Sequence, residues 1–175
     1  MIRLLIRAAG AVLVVAGAAG LGLFFSSRFL LRLRLLEEFR RLVFLLKGEI
    51  LYANSSLEEA FSRAGERLGG PAGRFAGQVA QEMGLGQGKE FCRIWEEKME
   101  ELSGLPFSAE DLRQLRDFGS QLGYLDRQMQ ERIMLLYLEQ LELSIGALRE
   151  KRKETCRLYT GLSLAGGLFF VILMC

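Results

Sequence analysis

The 175 residues include 23 Lys and Arg, 21 Asp and Glu and no histidine, so the commonest general base, proton switch and metal ligand is missing. The net charge of +2 belongs to Arg3 and Arg7 alone, because every other charged residue falls within 28–157 and there the two signs balance. Cys92, Cys156 and Cys175 are an odd number without metal-ligand spacing, which argues against a disulfide framework and suits a reducing compartment.

Residues 1–7 form a short N-terminal tail. Residues 8–27 carry no charge, and about 20 apolar residues in a helix cross a bilayer's hydrocarbon core. A cleaved signal peptide is the competing reading, with Arg3 and Arg7 as its basic end and Ala16-Gly17-Ala18 as its cleavage site. The apolar part of such a peptide runs to about 7–15 residues. Here it continues through Leu21, Leu23, Phe24 and Phe25, which favours a retained span.

The body, 28–157, reads as all helix. Leu35, Phe39, Leu42, Leu46, Ile50 and Ala53 mark one face of an amphipathic helix that continues out of the first span. Ser56 with Glu59 forms a capping box for a helix to about residue 68, stopped by Gly69-Gly70-Pro71. A short helix over about 72–83 and a glycine loop at 84–88 follow, and the loop has no Walker or dinucleotide spacing. The next helix, 89–102, turns Phe91, Trp95 and Leu102 inward, with Trp95 as a core anchor. Ser108 with Asp111 caps a helix to 122, and Asp126 caps the last.

That last helix carries Met134, Leu138, Leu141, Ile145 and Leu148 at alternating spacings of four and three. Such a seam serves equally an intramolecular pair or a homo-oligomer. No proline follows Pro106, so the helix runs on into a second uncharged segment, 158–175. A helix apolar all round is a membrane span or the core of a large protein, and this chain is too short for the second. The expected fold is an all-α bundle of about six helices between two transmembrane helices, its first and last helices continuous with the spans.

Five basic residues follow the first span and five precede the second, against two in the tail, which places the body in the cytoplasm. The stretches 28–41 and 149–157 are each net basic, suited to the anionic headgroups of the lipid bilayer. The middle, 42–148, has 17 acidic and 11 basic residues, which disfavours nucleic acid and favours a basic protein partner. No nucleophile elbow, metal motif or cofactor fingerprint is present, so neither an enzyme nor a bound cofactor is expected. Glu97 and Glu101 are neighbours one turn apart that suit a divalent cation, although such clusters are more often solvated helix surface.

Two blocks carry a family likeness. Residues 46–52, Leu-Lys-Gly-Glu-Ile-Leu-Tyr, followed by Ser55-Ser56-Leu57-Glu58-Glu59-Ala60, resemble the E-I-x-Y…P-L-x-E-A stretch of the stage III sporulation protein AB family. Phe118-Gly119-Ser120-Gln121-Leu122-Gly123, then Asp126 and Gln130, resemble its F-G-x-x-L-G-x-x-D-x-x-x-Q block, and Trp95 falls where the family has its tryptophan. Ser55-Ser56 departs from the usual Thr-Pro, and the final span opens Thr160-Gly161-Leu162-Ser163 where Leu-Gly is usual.

The resemblance implies a non-enzymatic platform of endospore-forming bacteria. It would sit in the mother-cell membrane around the forespore, within a secretion-system-like channel complex. It implies a helical domain similar to the F-type platform proteins of type II secretion systems. The implied partners are a secretion-type ATPase of the mother cell and other membrane proteins of the complex. The acidic helices around Glu58, Glu59, Glu96, Glu97 and Glu101 are the expected ATPase contact. An F-type platform of a conventional secretion or pilus system is the alternative. A two-span signalling module is another, from a different class.

Overall fold

The computed structural model describes the backbone of residues 2–86, 89–123 and 126–174, and the side chains of 27–86, 89–123, 126 and 128–151. These residues form six α-helices and no strand: α1 (Ile2–Leu51), α2 (Leu57–Leu68), α3 (Gly70–Gly84), α4 (Phe91–Glu101), α5 (Ala109–Leu122) and α6 (Arg127–Met174). A single 3-10 turn, Leu102–Gly104, follows α4. The expected all-helical bundle is therefore present. Helical backbone runs unbroken from both apolar segments into the body. Among the residues searched no helix is long and apolar enough to cross a membrane, and the predicted spans, 8–27 and 158–175, lie, except for Ser27, outside the residues whose side chains are described.

Local signals explain most boundaries. Ser56 Oγ accepts from the Glu59 amide at 3.2 Å while the Glu59 carboxylate accepts from the Ser56 amide at 3.3 Å, starting α2. Gly69 and Gly70, with φ of 62° and 63°, turn the chain between α2 and α3, a conformation open to glycine at little cost. The Asp126 carboxylate accepts from the Met129 amide at 2.9 Å and caps α6. One expectation fails. The first helix stops at Leu51, where the amides of Tyr52 and Ala53 both turn onto the Gly48 carbonyl and Asn54 adopts φ 59°. Ala53 is therefore exposed and leaves the buried stripe.

Leu35, Phe39, Leu42, Leu46 and Ile50 of α1 are buried, as are Met134, Leu141, Ile145 and Leu148 of α6, with Leu138 half-buried. The two helices pack antiparallel, as the ion pairs Arg149–Glu37 and Arg40–Glu142, both 2.7 Å, require. Exposed pairs of this kind contribute about 0–1 kcal/mol each, so they set register more than stability. The Met134-to-Leu148 seam is thus closed within one chain. Helices α2 and α3 form a hairpin against α1, and α4 and α5 complete the core.

Candidate functional site

The family-like blocks can now be read as contacts. Trp95 is buried at the centre, its ring centroid 4.9 Å from Phe75 and 5.8 Å from Phe118, and its indole N–H donates to the Leu115 carbonyl at 3.1 Å. The indole lies flush on α5 at Gly119, where any Cβ would overlap it. A Cβ on Gly123 would stand 2.8 Å from the Phe91 ring. Phe118 stacks on Tyr137 at 4.6 Å, and Gln130 Nε2 donates to the Leu122 carbonyl at 3.1 Å. Phe118, Gly119, Leu122, Gly123 and Gln130 of the block 118–130 are thereby occupied in joining α4, α5 and α6. Burial, with the nearby Asp111 charge second, pushes the Tyr137 hydroxyl's pKa well above its ordinary value.

Among the described residues two carboxylates are buried, and both are paired. Asp111 takes Arg32 in a fork, Nε to Oδ2 at 2.7 Å and Nη2 to Oδ1 at 3.0 Å, and Arg32 Nη2 also donates to Ser108 Oγ at 2.9 Å. The capping box of α5 is thus tied to α1 at the end of the bundle near Arg32. At the far end, where α1 stops, Glu49 takes Arg63 at 3.1 Å, Arg67 at 3.0 Å and the Ser55 hydroxyl at 3.1 Å. Burial alone would raise the Glu49 pKa, but the hydrogen bonds from Arg63 and Ser55 and the two arginine charges hold it below the usual glutamate value. Neither pair is announced by sequence spacing, since Arg32 and Asp111 are 79 positions apart.

Of the glutamates expected to meet a partner, Glu58 and Glu59 stand at the far end, and Glu59 is already engaged in its capping box. Glu58 lies against Gly84, the last residue of α3. Lys89 bridges Glu82 and Glu97, 3.0 Å to each, and those hydrogen bonds raise the Lys89 pKa and lower that of Glu82. Glu101 pairs with Lys98 at 3.0 Å and sits at the opposite end of α4 from Lys89, roughly 15 Å along the helix. Glu96 is exposed on α4 between them. The five are therefore strung along the bundle and interleaved with lysines. Among the residues searched, no group of three or more potential metal-ligating side chains is gathered.

The far end also carries an exposed aromatic that spacing did not single out as a site. In the Glu49-Ile50-Leu51-Tyr52 stretch, Glu49 and Ile50 are spent on packing while Tyr52 is 80% exposed. It lines a shallow depression of about 230 Å³ with Leu51, Gln128 and Glu131.

The family model for stage III sporulation protein AB matches residues 7–175. The chain belongs to the stage III sporulation protein AB family. It is similar to stage III sporulation protein AB of Bacillus subtilis (strain 168), 22% identical over 172 residues that cover 97% of this chain and 99% of that one. A solved structure of stage III sporulation protein AB has the same fold, with a TM-score of 0.64 at 22% identity over 71% of this chain and 98% of that one.

Proposed function

We propose that this sporulation-family protein is a non-enzymatic platform in a secretion-system-like complex of the mother-cell membrane around the forespore. Residues 8–27 and 158–175 anchor it, residues 28–157 stand in the cytoplasm, and it couples a secretion-type ATPase to the other membrane proteins of the complex. The observation that carries the reading is mechanical. Helices α1 and α6 run unbroken over 50 and 48 residues and are clamped to each other and to the shorter helices. A load applied at the far end travels along such a pair without meeting a hinge. The far end also offers Tyr52 and Glu58 to a partner, an exposed aromatic beside acidic groups, as basic surfaces favour.

The test uses the full chain in sporulating cells. Tyr52→Ala combined with Glu58→Lys is expected to abolish ATPase co-purification while membrane insertion stays at the wild-type level. Undiminished ATPase recruitment by that variant would remove the far end as the contact.

A further inference from the structure

Helix α6 has a second seam that neither its buried stripe nor the platform reading uses. Met129, Ile133, Leu136, Gln140, Leu143 and Ala147 repeat at spacings of four, three, four, three and four, on a face roughly opposite the one that meets α1. Leu136 is 50% exposed and Leu143 70%, so apolar side chains sit in water at the positions a helix partner would cover. Between this face and α5 lies a depression of about 250 Å³, walled by Arg113 and Asp117 on the α5 side.

The charges beside the seam select the occupant. One edge of it is Arg132 and Glu139, seven residues apart and both exposed, and neither pairs with another side chain among the described residues. The other edge is α5, which runs antiparallel to α6, since Leu122 meets Gln130 and Phe118 meets Tyr137. That register places Asp117 beside Leu136 and Arg113 near Gln140. When two copies face each other with their α6 helices parallel, each edge meets the opposite edge of the other copy. Glu139 then comes level with Arg113, and Arg132 lies about one turn, ~5.4 Å, from Asp117. Both contacts join opposite charges, and twofold symmetry makes each of them twice. An antiparallel arrangement centred on the same seam instead sets Glu139 beside its own copy. The lone polar side chain in the seam, Gln140, would meet itself across the axis, the position at which one polar residue fixes the register of parallel helices.

We infer that a second copy of this chain docks on the outer face of α6, forming a parallel twofold dimer through the Met129-to-Ala147 seam with Arg132–Asp117 and Glu139–Arg113 pairs between copies. Arg113 already pairs with Glu110 within its own chain, so the contact with Glu139 completes a three-residue network rather than rescuing a bare charge.

The experiment uses the full chain in membranes, with Cys92, Cys156 and Cys175 replaced by serine. Leu143→Cys is expected to give a disulfide-linked dimer on mild oxidation, and Leu135→Cys, exposed on the α1 side of the same helix, is expected to remain monomeric. Arg132→Asp should weaken association about tenfold, and Arg132→Asp with Asp117→Arg should restore it. A monomer from Leu143→Cys, equal cross-linking at both cysteines, or no recovery in the double exchange would each overturn the dimer. Cross-linking that tracks the charge exchange supports it.

Discussion

The inner and outer faces of α6 share one period and differ in what covers them. On the inner face Met134, Leu141 and Ile145 meet the stripe of α1 and lose almost all their exposure. On the outer face Met129, Leu136 and Leu143 keep between two-fifths and seven-tenths of theirs. Apolar spacing therefore says where a helix can be covered, and only the rest of the chain decides whether it is. The inner face is closed because α1 brings a matching stripe in antiparallel register. The outer face has only the short α5 beside it.

Truncation at matched positions is the strongest way to break this contrast. Leu141→Ala is expected to destabilise the fold by about 2–5 kcal/mol, the usual range for a buried leucine. Leu143→Ala, two residues on, should change the stability of the monomer by less than about 0.5 kcal/mol. Denaturant titration in micelles, followed by the fluorescence of Trp95, the single tryptophan, measures both. Equal costs would mean that the outer face is not open.

The stripes and caps were legible in the sequence because they are local. The α1 stripe from Leu35 to Ile50, the capping pairs Ser56–Glu59 and Ser108–Asp111 and the cap at Asp126 all act within a few turns of their own position. What was not legible depends on residues far along the chain. Glu49 looks like a surface glutamate until α2 folds back to bring Arg63 and Arg67 to it. Tyr137 falls off the inner seam yet is buried, because Phe118 of α5 covers it. Ala53 fits the period but not the fold, since the chain turns before reaching it. The candidate site was read least well. Counting glutamates finds acidic helices but passes over Lys98, three residues before Glu101 on the same helix, and misses Lys89, which the fold sets against Glu82 and Glu97.

Two glycines carry the contrast to a smaller scale. Alanine is a better helix former than glycine by about 1 kcal/mol, so an open helical glycine gains from the change. Gly146 of α6 has nothing within 4 Å of a built Cβ, and Gly146→Ala should stabilise the chain by about 0.5–1 kcal/mol. Gly119 of α5 faces the Trp95 indole, and Gly119→Ala should destabilise it by about 1–3 kcal/mol despite the same propensity gain. The Trp95 emission should shift only in the second variant, because only there is the ring displaced.

The smallest effect concerns a carboxylate that the fold has closed off. Glu49 is lowered in the folded state, so the unfolded chain takes up its proton first as pH falls. Its contribution is fully present above the unfolded glutamate value of about 4.3 and is lost as pH falls from there through the folded value. Glu49→Gln should therefore be less stable than the parent at pH 6, with the gap narrowing progressively below pH 4.3. The exposed arginine partners let solvent screen the pairing, which keeps the change modest. Denaturation midpoints of the two chains from pH 6 down to pH 3 give the comparison. Parallel profiles would show that Arg63 and Arg67 do not hold the Glu49 charge in the folded state.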